Sequence, residues 1–196
     1  MGKGKRRWSL VAATAGERAE AARIQRMQDP EEVVGRLGSP PPDDLIELHK
    51  NDPARVAMVW EPRVIMLVTE RLAEMDTSGS RAALAELTRG PSGVTKRWAV
   101  KALAEKPHEE SVDDFKGVLD DGDADTRAWA AQALGVLEYP DAIPRIVPML
   151  ESRSSSEKVC DARALAQIGS EEGIQAVRRA RRKEWRLWIR VQLPPV

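Results

Sequence analysis

The sequence predicts an all-α protein: an α-solenoid of stacked antiparallel helix pairs, with irregular helices before the array and a basic helix after it. Three observations predict it. The chain aligns with itself at an offset of 31 residues, so that Leu103, Leu134 and Leu165 coincide, as do Ala102, Ala133 and Ala164. A fixed period of this length marks a repeat array, because one helical hairpin cannot bury its apolar face alone and stacked copies can. The apolar residues are mostly Ala, Leu, Val and Ile, and six of the eight aromatic residues are Trp; such a core suits thin helical layers better than a β-sandwich. Finally, Pro, Asp and Ser stand where the helices should begin.

Residues 1–16 read as a basic mobile tail. Residues 17–75 hold GERAEAARIQRMQ, PEEVVGRL, PPDDLIELHK and DPARVAMVW, short irregular helices with a break at SPPP, 39–42. A faint first repeat ends this region, marked by Leu72 in register with Leu103. These helices are expected to cap the stack or to add irregular repeats. The array proper covers 76–180 and a Trp-containing basic helix and tail covers 181–196. In the middle unit the first helix is predicted at 124–137, with Ala130, Ala133, Leu134 and Leu137 on one stripe. Tyr139-Pro140 makes a turn, and the second helix is predicted at 142–150, with Ile143, Ile146, Val147 and Leu150 inward. Pro144 suits that helix's first turn, whereas Pro148 should kink or shorten it. Val112, Ile143 and Ile174 share a register, and so do Leu84, Phe115, Ile146 and Val177. Ser92, Asp123 and Ser154 fall together as N-caps, and Glu157 completes a capping box with Ser154.

Residues 121–150 resemble a short HEAT-like repeat of the phycobilisome-lyase type. The resemblance rests on Thr126-Arg127, Ala130-Ala131, Ala133-Leu134-Gly135, Leu137, Pro140, Ala142-Ile143-Pro144 and Leu150. Residues 92–120 fit less fully, with Ala104 in place of the glycine, and so do 154–178, with a shortened second helix. The resemblance implies a fold and leaves the activity open, since lyases, glycosylases and plain scaffolds share it.

Net charge is zero but segregated: +5 over residues 1–28, −5 over 29–90, −6 over 91–177 and +6 over 178–196. Two basic ends flanking an acidic middle point either to contact within the chain or to an anionic partner. No apolar run is long enough for a membrane span, and LVAATA is too short for a signal-peptide core. Arg6 stands where a myristoylation motif needs Ser or Thr. Cys160 is the only cysteine, which excludes an internal disulfide and fits a reducing, cytoplasmic setting.

Trp98 and Trp129 occupy equivalent first-helix positions, and Cys160 follows them in register. They read as inter-repeat packing or a shared outer ridge, so that removing a buried Trp129 ring should cost about 3–5 kcal/mol. An aromatic platform is the alternative. HEAT-like alkylpurine DNA glycosylases use paired tryptophans with an aspartate on a basic surface, whereas the surroundings here are acidic, so that site is not carried over. Lys96, Arg127 and Lys158 form a second column. The resemblance implies that they bind carboxylates and carbonyls of neighbouring loops, with Asp121, Asp123 and Asp125 as partners. DDGDAD looks faintly like a calcium loop but lacks the Glu at its twelfth position.

No metal site and no cofactor is expected, and the chain reads as non-enzymatic. His49 and His108 are the only histidines, and no phosphate-binding loop, dinucleotide fingerprint or nucleophile elbow occurs. Asp113 and Asp114 diverge by about 100° on a helix and cannot meet on one substrate atom. The second helices of such arrays line the concave face, which makes Asp113, Asp114, Arg145, Gln175 and Arg179 the candidate protein-binding residues. Charge along that face would run from acidic to basic. The basic ends form a second candidate, for RNA or DNA: Lys3, Lys5, Arg6 and Arg7 at one end, and Arg178, Arg181, Arg182, Lys183, Trp185, Arg186, Trp188 and Arg190 at the other. Trp185, Trp188 and Ile189 are predicted to share a face of one helix, which either caps the last repeat, binds nucleic acid or lies on a membrane surface. The leading expectation is a scaffold that binds another protein along its concave face. A ribosome- or nucleic-acid-associated protein is the alternative, and a lyase or DNA glycosylase the third.

Overall fold

The computed structural model describes residues 13–91 and 93–196. Among the described residues every regular element is helical. The chain forms two compact units that divide between Met75 and Asp76.

The first unit contains α1 (Ala15–Arg26), α2 (Pro30–Val34), α3 (Asp43–Leu48) and α4 (Pro53–Met75). Helix α4 packs against α1, α2 and α3. Thr14 caps α1 and Glu17 closes a capping box, its carboxylate accepting the Thr14 N–H at 2.7 Å. Ala13 is buried, so the expected basic tail gives way to folded structure by this point; the rest of that tail lies outside the described residues. The short helix read from DPARVAMVW continues through Pro62 as one 23-residue helix. Its apolar stripe explains why. Val56, Trp60, Val64, Ile65, Val68 and Leu72 are all buried and run across the proline without a break. An interior proline costs about 3 kcal/mol, while each such side chain gains about 1.5–3 kcal/mol on full burial. The Trp60 indole N–H donates to the Ser39 carbonyl at 2.8 Å, and the Arg71 guanidinium holds the Met27 carbonyl at 2.7 Å.

The second unit contains α5 (Ser78–Arg89), α6 (Val94–Glu105), α7 (Val112–Val118), α8 (Ala124–Val136), α9 (Ile143–Met149), α10 (Ser155–Ile168), α11 (Glu171–Lys183) and α12 (Leu187–Arg190). The first helices α6, α8 and α10 stack in succession, α5 packs on α7, and α9 packs on α11. The 31-residue register is a packing register: Leu103, Leu134 and Leu165 are buried, and so are Leu84, Phe115, Ile146 and Val177. Helix α9 is short, as Pro148 implied, and a 3-10 turn at Pro140–Ala142 precedes it.

Helix α8 ends in a Schellman motif. The Tyr139 N–H donates to the Leu134 carbonyl and the Glu138 N–H to the Gly135 carbonyl, both at 3.0 Å, with Glu138 left-handed at φ 51°. Gly135 permits close approach of α10, because a Cβ there would lie 2.5 Å from the Ala164 Cα. Asp123 and Ser154 cap α8 and α10 as expected. Ser92 lies outside the described residues, and α6 starts from Gly93 without a side-chain cap.

Three expectations about the array need correction. The second helix of the last repeat is not shortened, since α11 runs for 13 residues against seven each in α7 and α9. The capping box at Ser154 is half made. Ser154 accepts the Glu157 N–H at 3.3 Å, but the Glu157 carboxylate turns to Arg127, and the Ser154 N–H donates to Ser152 instead. The basic segment is also not one helix, since α11 stops at Lys183 and α12 is a single turn. The buried Glu184 carboxylate breaks the helix by accepting the Arg186 N–H at 3.0 Å while it binds Lys158.

Candidate partner-binding surfaces

The first-helix column of basic residues ties each repeat to the next segment. Lys96 on α6 pairs with Asp121 at 2.7 Å, just before α8. Arg127 on α8 binds Glu157 on α10 through two parallel bonds of 2.6 and 2.9 Å, and it also donates to the Asp121 carbonyl. Lys158 on α10 reaches Glu184 at 3.3 Å. Asp121 is thus a partner, Asp123 makes a longer 3.7 Å pair with Arg97, and Asp125 takes no part in the column. Burial works to raise the Asp121 carboxyl, but hydrogen bonds from Lys96 and the Asp123 N–H outweigh it and hold the carboxyl below the usual range. Glu184 is held down to about 2, first by the Arg186 hydrogen bond.

A buried carboxyl that sequence reasoning missed lies beside this column. Asp161 is fully buried, and neither of its oxygens has a hydrogen-bond partner. Burial, and then the Glu157 charge, push it up to about 8, against the opposing pull of Arg127. A signal was present. Asp161 falls in register with Ala99 and Ala130, both fully buried, so it is an acid in an alanine column.

Trp98 and Trp129 are half-buried and form an outer ridge. Lys101 bridges them, its ammonium 4.4 Å from the Trp98 ring centroid and 6.0 Å from that of Trp129. Cys160, next in register, is a half-buried thiol raised by burial, which makes it a poor nucleophile. Asp76 gathers Lys106 at 3.1 Å, His108 at 3.2 Å and Arg81 at 3.4 Å, and the Lys106 hydrogen bond leads in lowering its carboxyl. Among the described residues no group of His, Cys, Asp and Glu is placed to hold a metal.

The candidate second-helix residues divide into two kinds. Asp113 is exposed, with a Lys116 contact at 3.1 Å, and Arg179 is exposed without an ion pair among the described residues. The others are engaged. Asp114 is buried and binds Arg89 of α5 at 2.8 Å, so it is not available to a partner. Arg145 donates to the Lys116 carbonyl at 2.7 Å and pairs with Asp120. Gln175 donates to Glu171 at 2.7 Å.

In the 178–196 segment Ile189 caps the unit as expected, but it does so with Leu193 and without the tryptophans. Ile189 and Leu193 are the buried anchors, whereas Trp185 and Trp188 are 86% and 56% exposed. Arg186 turns inward to Glu184 at 2.9 Å, Arg178 binds the Val196 carbonyl at 3.0 Å, and Lys183 makes an exposed 3.4 Å pair with Glu151. Arg182 and Arg190 are exposed, Arg181 is half-buried, and none of the three has an ion pair among the described residues. Lys3, Lys5, Arg6 and Arg7 lie outside the described residues.

Residues 80–159 match the family model of HEAT repeats. With the stacked pairs just described, this identifies residues 80–159 of the second unit as HEAT-like helical repeats, an architecture that commonly mediates protein interaction. No curated protein matches the chain.

Proposed function

We propose that the protein is a HEAT-repeat scaffold that binds another protein along the face formed by its second helices. The observation that carries this reading is the separation of roles between the charges. The first-helix column and the pairs Arg89–Asp114 and Arg145–Asp120 are spent between neighbouring elements. Asp113 on α7 and Arg179 on α11 remain exposed, opposite in sign, on the second helices of different repeats. A partner segment with the reversed order of charges would be steered and oriented by them.

The test is a double charge reversal, Asp113→Lys with Arg179→Glu, followed by quantitative affinity purification after nuclease treatment. Both side chains are exposed, so the variant should melt like the parent chain and lose its specific partner. An unchanged set of bound proteins would refute the second-helix face as the docking surface.

A further inference from the structure

Trp185, Leu187, Trp188 and Val191 are 86%, 68%, 56% and 68% exposed. Four large apolar side chains therefore face water within seven residues. They do not belong to a loose tail. Ile189 and Leu193, 0% and 3% exposed, pin this turn to the unit, and the Leu187 carbonyl accepts the Val191 N–H at 3.0 Å. An anchored element that holds its apolar residues outward marks an interaction site.

The rim of the patch is cationic and uncompensated. Arg182 and Arg190, which flank it in the chain, are exposed with no ion pair among the described residues. The one acid in the segment, Glu184, is buried and already holds Lys158 and Arg186. We propose that this patch docks the protein on the surface of an anionic lipid bilayer.

The composition of the patch selects that partner. A single nucleic-acid strand stacks its bases on flat rings; it would use Trp185 and Trp188 and leave Leu187 and Val191 in water. A bilayer interface takes all four, with indoles at the headgroup level, branched aliphatics just below and arginines among the anionic headgroups. No helix of the described residues is long and apolar enough to cross a membrane, so the engagement is at the surface. Each basic residue near an anionic leaflet adds about fivefold to the partition.

The experiment is vesicle flotation of the full chain. Phosphatidylcholine vesicles containing phosphatidylserine should carry the protein, and phosphatidylcholine alone should carry much less. The double variant Trp185→Ser with Trp188→Ser should lose about tenfold or more in partition, and Arg182→Glu with Arg190→Glu should lose at least as much. Both should melt like the parent chain, because they alter only exposed side chains. No flotation at low salt, equal flotation on both vesicle types, or unchanged flotation of the tryptophan variant would each overturn the proposal. So would capture of a uridine oligomer in place of vesicles, lost in that same variant, or a concentration-dependent dimer that the variant abolishes.

Discussion

Asp161 sets the residue-scale behaviour of the array. Its carboxyl titrates near 8 when folded, against about 3.9 in an unfolded chain. Between these values the folded state holds a proton that the unfolded state has released. Stability from this site is therefore full below about pH 4, falls as pH rises towards 8 and is flat above that. Glu184 has the opposite sign: its carboxyl, held down to about 2, contributes stability above the usual carboxylate range that is lost as pH falls. Asp161→Ala restores the residue found at Ala99 and Ala130. It should raise stability by about 1–3 kcal/mol below pH 5, where the carboxyl is a neutral unsatisfied polar group, and by more at pH 9, where it is a buried charge, and remove the decline between pH 5 and 8. Denaturant melts across pH check this; a variant that keeps the parent's pH slope would place the titrating group elsewhere. The half-burial of Trp129 similarly lowers the expected cost of losing its ring below that of a core aromatic.

At the scale of elements, Gly135 decides how closely α8 and α10 meet. Alanine is the better helix former by about 1 kcal/mol, yet its Cβ would stand 2.5 Å from the Ala164 Cα and 2.8 Å from its Cβ. The first of these atoms is backbone, so two helices must part. Gly135→Ala should destabilise by about 1–3 kcal/mol, read as a lowered melting midpoint; a raised midpoint would mean the interface yields freely. The paired helices were legible because their signal repeats: Leu103, Leu134 and Leu165 each support the same assignment, and one period sets all three. The departures were illegible for the complementary reason. Glu184 closes on Arg186 two residues on, but it is also held by Lys158, 26 residues earlier, and the unfinished capping box depends on Arg127, 30 residues before Glu157. The long-range partners of these acids cannot be read from their neighbours in the chain. The candidate second-helix residues were legible as positions, but not as free or engaged groups, since that turns on partners such as Arg89 and Asp120 in other elements.

At the scale of the whole molecule, the second unit behaves as a chain of nearest neighbours. Arg127 is its central tie, binding the fully buried Glu157 and the carbonyl of Asp121. Arg127→Ala would leave the Glu157 carboxylate buried without its cation and should cost about 3–5 kcal/mol. Hydrogen exchange should show α8 and α10 losing protection together; loss confined to one of them would mean that the tie does not couple the repeats. The placement of the indoles also gives the chain its own optical labels. Trp60, buried and hydrogen-bonded in the first unit, should emit to the blue of Trp185 and Trp188, which stand in water, and Trp98 lies under an ammonium. Unfolding of the first unit, loosening of the outer ridge and engagement of the exposed pair should therefore shift different parts of one emission band, without any dye being attached.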